Sequence, residues 1–207
     1  MPAWLQDPDL LARAAFQSNE PDRWRATRLA PLTHENGPDH YIDLEELKPR
    51  GMELRQLPPL RYEFVMALGR AEPEAPPATE RPRRGVARPA TDQVGMLPYA
   101  IVEHHAKLAA AFRTVRILDS IEGPAWDQQR AGARASVVEE IGQLSHFVGD
   151  AAQPLHTTIH HHGWVGDNPH GYTTESSIHA RIDSGVVERH RIDADVPVEL
   201  GLEPEPQ

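Results

Sequence analysis

The sequence predicts an all-α fold, a single-domain helical bundle with long loops, and three observations carry that expectation. Apolar residues recur at steps of three and four through two long windows, the signature of amphipathic helices. Alternating runs of Val, Ile, Thr and aromatic residues, which would mark strands, are missing. The 20 prolines and 14 glycines among 207 residues break the chain often, so helices must be joined by extended connections. An apolar share of 39% is low but suffices for one core at this length. One domain is expected over residues 1–190, followed by an acidic, Pro-rich tail at 191–207 that is too polar to order itself.

Taken in order, residues 7 to 17 read as a short helix with Asp7 as N-cap and Pro8 at its first position, ending near Asn19. The following N-E-P-D-R-W-R reads as a polar turn. In P-D-H-Y-I-D-L-E-E-L, Asp43 and Glu46 have the spacing of a capping box, whereas His40 has no comparable structural role. Residues 49 to 70 give a loop and then a short apolar helix. Residues 71–90, rich in Pro, Glu and Arg, are expected to form a flexible loop.

A long helix is predicted over residues 95 to 121, capped by Thr91 or Asp92, with Leu97, Ile101, His105, Leu108, Phe112 and Val115 on its apolar stripe. That register makes His105 a core histidine and leaves His104 facing solvent. After Gly123–Pro124 a second long helix, about 125 to 148, should bury Val137, Ile141, Leu144 and Val148 and carry His146 on its other side. Residues 157 to 172 form an irregular loop whose His160, His161, His162 and His170 have no fixed direction, so no metal role follows for them. A last helix starting at Thr173 or Thr174 sets Ile178, Ile182 and Val186 beside a row of His179 and Asp183.

The net charge of −10 opposes binding a phosphate backbone through Lys and Arg, so sequence-specific binding of duplex DNA is excluded as an expectation. Without cysteine there is neither a disulfide framework nor a thiolate metal site, and any metal must rest on His, Asp and Glu. The first residues, M-P-A-W-L-Q-D-P-D, lack a basic start and a long apolar run, and no window approaches about 18–20 apolar residues, so neither a leader nor a transmembrane segment is expected in the chain as given.

The richest stretch runs from residue 141 to 183, with His146, Asp150, His156, His179 and Asp183. His146 and Asp150 stand four apart in a helical window, and His179 and Asp183 repeat that spacing. Residues four apart share one helix face with Cβ atoms about 5–6 Å from each other. His156 follows across Pro154, which ends the helix and turns the chain back. Imidazole and carboxylate donors in this pattern suit zinc. A single H-x-x-x-D is equally the mark of a solvated ion pair worth about 0.3–0.5 kcal/mol; two of them with a P-L-H between point to metal.

Taken together, P-D-R-W-R, H-Y-I-D, L-S-H-F-V-G-D-A-A-Q-P-L-H and I-H-A-R-I-D resemble, in order over residues 22 to 183, the motifs of the bacterial zinc-dependent phospholipase C and single-strand-specific nuclease superfamily. The resemblance implies an all-α fold with a trinuclear zinc cleft. It implies Asp22, His40, His146 and Asp150 on one zinc, with Asp150 bridging to another, and His156, His179 and Asp183 on a further ion. In the nuclease branch the aromatic and the acid of H-Y-I-D hold a base, here Tyr41 and Asp43, while Arg25 would neutralise charge on the transferring phosphoryl group. Asp183 is Glu in the phospholipase branch, which favours nuclease.

These parallels imply a secreted or periplasmic hydrolase of phosphodiester bonds, acting on single-stranded nucleic acid or on phospholipid, with zinc activating water. In the superfamily a third zinc is held by the amine and carbonyl of an N-terminal Trp exposed by signal cleavage and by a His five residues on. This chain has no His before His34, so it reads as truncated at its start, with two zinc sites supported and the third only weakly held. The alternative to an enzyme is a non-catalytic helical protein that keeps zinc for stability.

Overall fold

A computed structural model describes residues 2–71 and 94–191. Apart from Ala71, the loop expected at 71–90 lies outside the described residues, as do the cap candidates Thr91 and Asp92 and the tail beyond Arg191. The protein is all-α: among the described residues the only extended pairing is an isolated bridge between Ile42 and Gly95. None of these helices is long and apolar enough to cross a membrane. The chain divides into two compact units, Met1–Thr158 and Ile159–Gln207.

In the first unit, α1 (Pro8–Gln17) starts as predicted, with Asp7 Oδ1 accepting the Asp9 N–H at 2.9 Å. The stretch expected to be a polar turn is instead a helix, α2 (Glu20–Ala26). Pro21 in its first turn, Glu20 and Asp22 at its N-terminal end and Arg23 and Arg25 at its C-terminal end all complement a helix, and that charge order outweighs the polar composition. Next come α3 (Ala30–Asn36) and a chain of short 3-10 turns, among them Pro38–His40 and Leu44–Glu46. The expected capping box does not close: the Glu46 N–H bonds the Asp43 backbone carbonyl at 3.0 Å, and the Glu46 carboxylate takes Arg50 at 2.6 Å.

Three longer helices build the core: α4 (Arg61–Arg70), α5 (Leu97–Asp119) and α6 (Asp127–Ala152). Phe64 and Leu68 from α4, Leu97, Tyr99 and Ala100 from α5 and Phe147 from α6 pack with Ile42, Leu47, Val94 and Met96. The Tyr99 ring stacks on Phe64, its hydroxyl donates to the Pro58 carbonyl at 2.8 Å, and burial pushes its pKa up to about 12. Val138, Leu5 and Ala14 form a second cluster joined by Trp4 and Ile141. There α1 and α6 touch backbone to backbone, since a Cβ on Gly142 would meet the Ala14 carbonyl oxygen at 2.5 Å.

Two registers differ from expectation. On α5 the buried positions are Leu97, Tyr99, Ala100, His104 and Val115, while His105 is exposed, so the two histidines exchange the roles predicted for them. His104 satisfies its burial by bonding Glu140 at 2.8 Å and stacking on Phe147, a partner that the helix's own periodicity does not reveal. On α6, Phe147 is buried and Val148 exposed, so His146 borders the core instead of lying opposite it.

The residues preceding α5 tie the 38–43 segment down. Met96 N–H reaches the Pro38 carbonyl at 2.7 Å, Leu97 N–H the Tyr41 carbonyl at 3.1 Å, and Asp43 N–H the Val94 carbonyl at 2.7 Å. Gly95 makes this possible: its φ is +87°, and a Cβ there would sit 2.1 Å from the Tyr41 oxygen.

In the second unit, a 3-10 turn Ile159–His162 leads into an irregular loop. The last helical run begins at Ile178, later than expected, and continues through a π-helical stretch, Arg181–Val186, to Val187–His190. Ile182 and Val186 are exposed there, so the apolar row expected beside His179 and Asp183 is not a core.

Candidate metal centre

Four elements of the first unit deliver side chains to one point. Asp22 comes from the first turn of α2, half-exposed, with Arg25 one turn later donating to its Oδ1 at 2.8 Å. His40 ends the turn Pro38–His40 and is only 2% exposed. The preceding Asp39 anchors that turn: Arg61 donates to both of its oxygens, at 2.5 and 3.0 Å, and also grips Glu103. Burial pushes the Asp39 carboxyl up, while the Arg61 guanidinium opposes that shift. α6 supplies His146 and Asp150 from one face, and the turn Pro154–Thr157 supplies His156.

His40 Nδ1 is the hub. It lies 3.0 Å from His146 Nε2, 3.0 Å from Asp150 Oδ2 and 3.9 Å from Asp22 Oδ1, while His146 Nε2 is 3.3 Å from the same Asp150 oxygen. Donor atoms of Asp22, His40 and His146 all fall within 4.8 Å of one another. Ligands held tetrahedrally at about 2.0–2.2 Å stand about 3.3–3.6 Å apart, so these separations have the size of a zinc coordination shell. The other nitrogen of His40, Nε2, is buried with no hydrogen-bond partner among the described residues. A buried polar atom left so costs about 1–3 kcal/mol, and the polar contacts of the ring described above run through Nδ1.

His156 shows a second-layer arrangement. Its Nδ1 lies 2.9 Å from the His40 carbonyl oxygen, which can only accept, so Nδ1 carries the hydrogen and Nε2 of the neutral ring carries the lone pair. The same Nδ1 is 3.0 Å from Asp150 Oδ1. Asp150 thus meets three imidazoles. Burial alone would raise its pKa, yet hydrogen bonds from His146, His156 and His40 hold it well below the usual carboxylate range. For His146 burial favours the neutral ring, but the bond to Asp150 and its charge prevail and raise the pKa above the ordinary value. Buried Phe147 lies beside both rings, its centroid 5.7 Å from that of His40 and 5.4 Å from that of His146.

Of the residues singled out in the sequence, Asp22, His40, His146, Asp150 and His156 come together in the first unit. Arg25 joins them through Asp22. Tyr41 is partly buried beside His40, and Asp43 is buried at 3% exposure with its backbone fastened to Val94. His179 and Asp183 belong to the second unit, where Nε2 and Oδ2 pair at 2.7 Å and the rings of His161 and His162 lie 6.3 and 5.7 Å from that of His179. In the same unit His160 stacks on Trp164 at 3.9 Å and accepts the Val165 N–H, so its direction is set by the loop itself.

Sequence reasoning missed the anchor of Asp39, Arg61 and Glu103, whose members are scattered along the chain and carry no spacing signal. It also missed Gly95, for which a glycine just ahead of an apolar helix was the available hint. No family model, curated protein or solved structure matches the chain.

Proposed function

We propose that the chain holds zinc on Asp22, His40, His146 and Asp150 and hydrolyses a phosphodiester bond there, with single-stranded nucleic acid as the substrate. The observation that supports this is the convergence of two imidazoles and two carboxylates from α2, the turn Pro38–His40 and α6, at 3.0–3.9 Å from His40 Nδ1. The donor chemistry, hard or borderline nitrogen and oxygen without sulfur, fits zinc. Bound there, zinc would make a water acidic enough to lose its proton near neutral pH and would polarise a phosphoryl oxygen.

The remaining roles belong to the chain's own groups. Buried His40 and partly buried His146 orient the donor set, and half-exposed Asp22 marks the side open to solvent. Arg25, exposed and hydrogen-bonded to Asp22, presents a guanidinium at that open side where a phosphoryl charge would develop. Tyr41 and Asp43 follow the superfamily resemblance as the base-binding pair, the ring stacking on an unpaired base. The resemblance also assigns a further ion to His156, His179 and Asp183, and that assignment rests on the sequence.

A second reading is favoured by one specific feature. Four protein donors complete a tetrahedron, which is the habit of structural zinc, whereas catalytic zinc keeps a position open. In that reading the ion fastens α2 and the turn Pro38–His40 to α6 and catalyses nothing.

The test is metal analysis of the purified chain beside hydrolysis of a chromogenic phosphodiester, single-stranded and duplex oligonucleotides, and phosphatidylcholine vesicles, with and without chelator. Zinc-dependent cleavage of the single strand ahead of the duplex is expected. Zinc with no turnover on any substrate establishes the structural reading, release of a lipid headgroup the phospholipase alternative, and no zinc uptake overturns both.

A further inference from the structure

We infer that His156 is a positioning residue of the centre at Asp22, His40, His146 and Asp150, acting through its Nδ1–H on Asp150 and on the His40 backbone, whatever its Nε2 binds. The inference rests on the zinc reading above.

Three hydrogen bonds carry it. The Nδ1–H of His156 is shared between the His40 carbonyl at 2.9 Å and Asp150 Oδ1 at 3.0 Å, and the His156 carbonyl accepts the Ile42 N–H at 2.9 Å. Ring and main chain of one residue therefore hold the backbone on both sides of Tyr41. That segment needs a hold, because His40 ends a three-residue turn and the next residue is fully extended, at φ −152° and ψ 166°. A carboxylate can also rotate to offer either oxygen. By occupying Oδ1, the Nδ1–H directs Oδ2 toward His40 Nδ1 and His146 Nε2.

The turn that places His156 is itself fixed. Gln153 leaves α6 with extended backbone angles, its side chain accepts the Leu155 N–H at 3.2 Å, and its carbonyl accepts the His156 N–H at 2.9 Å. Outer-layer partners of this kind orient metal ligands, and their loss lowers metal affinity about 10–100-fold.

Asparagine and glutamine separate this role from ligation. Asn places an amide N–H where Nδ1 stands and has nothing at the position of Nε2; Gln reaches the position of Nε2 and abandons that of Nδ1. The experiment compares His156→Asn, His156→Gln and His156→Ala with the parent chain, all in an Asp183→Asn background so that uptake is read without the second pair. Cobalt is the spectroscopic probe and zinc the competitor. Gln and Ala are expected to weaken cobalt binding about 10–100-fold and to alter its visible spectrum, and Asn to restore affinity to within a few fold together with the parent spectrum. If the Ala variant does not fold, the Asn and Gln pair decides alone. Unchanged binding in every folded variant, or rescue by Gln and not by Asn, overturns the positioning role while leaving the zinc centre standing. A parent chain that takes up neither cobalt nor zinc overturns both.

Discussion

The chain uses His-x-x-x-Asp twice, and the two copies end in different surroundings. His146 and Asp150 ride on a 26-residue helix with side chains 12% and 11% exposed, and Asp22, His40 and His156 are brought to them from elsewhere in the first unit. His179 and Asp183, 21% and 37% exposed, sit where a short α-turn passes into a π-helical stretch, and they close on each other at 2.7 Å. The spacing does the same thing in both places: it puts an imidazole and a carboxylate on one face. The first pair is met, within its own unit, by Asp22, His40 and His156, which burial and backbone bonding deliver.

The sharpest way to break this contrast is to neutralise each carboxylate in turn. Asp150→Asn removes a charge that three imidazoles share, so zinc affinity at the first centre should fall by more than about 100-fold, beyond the usual effect of an outer-layer partner. Asp183→Asn should leave that affinity unchanged. Calorimetric titration with zinc measures both, and equal losses would erase the distinction.

Next in size is Gly95→Ala. The new Cβ would occupy space 2.1 Å from the Tyr41 oxygen at a φ of +87°, so a cost of about 2–4 kcal/mol is expected in urea unfolding. Because Gly95 lies within the strap holding residues 38 to 43, zinc affinity should weaken as well. A variant as stable as the parent would show that the strap does not organise the first centre.

Protons provide a third test. His146 has its pKa raised by Asp150, so its contribution to the metal-free fold is fully present below about pH 6.5 and is lost as pH rises through its folded value. Asp150 is shifted down, so its contribution is present above about pH 3.9 and is lost as pH falls through its own folded value. The metal-free chain should therefore melt lower at pH 8 than at pH 6, and Asp150→Asn should flatten that difference. Zinc needs the neutral ring, so its stabilising effect should grow over the same interval and its binding should release protons. Melting curves with and without chelator, and titration in two buffers of different ionisation enthalpy, check both signs.

Much of this was legible in the sequence, and the failures share a cause. α1, α5 and α6 were visible because their signals are local: an Asp-Pro cap and apolar steps of three and four. His146, Asp150 and His156 were visible because one helix and the turn after it place all three. The exchange of His104 with His105 was not visible, since either register gives an apolar stripe and the choice is made by Glu140 and Phe147 on another helix. α2 was misread as a turn because its polar composition was weighed above its charge order. The Asp39, Arg61 and Glu103 anchor and the strap at Gly95 join residues distant in sequence, which spacing cannot encode.

The smallest effect expected is also the most informative about the second pair. An ion pair at i and i+4 on an exposed helix contributes about 0.3–0.5 kcal/mol, and neutral imidazole contributes less than a charged partner would. Asp183 is more than a third exposed, and its helical run has exposed Ile182 and Val186 on either side. In the metal-free chain Asp183→Asn should therefore shift stability by less than about 0.5 kcal/mol, while Asp150→Asn, which strands partly buried imidazoles, should cost about 1–3 kcal/mol. Denaturant unfolding of both variants in the presence of chelator gives the comparison. A loss above about 1.5 kcal/mol for Asp183→Asn would mean that the second pair contributes to the fold on the scale of the first, and that the two copies of the motif differ in degree and not in kind.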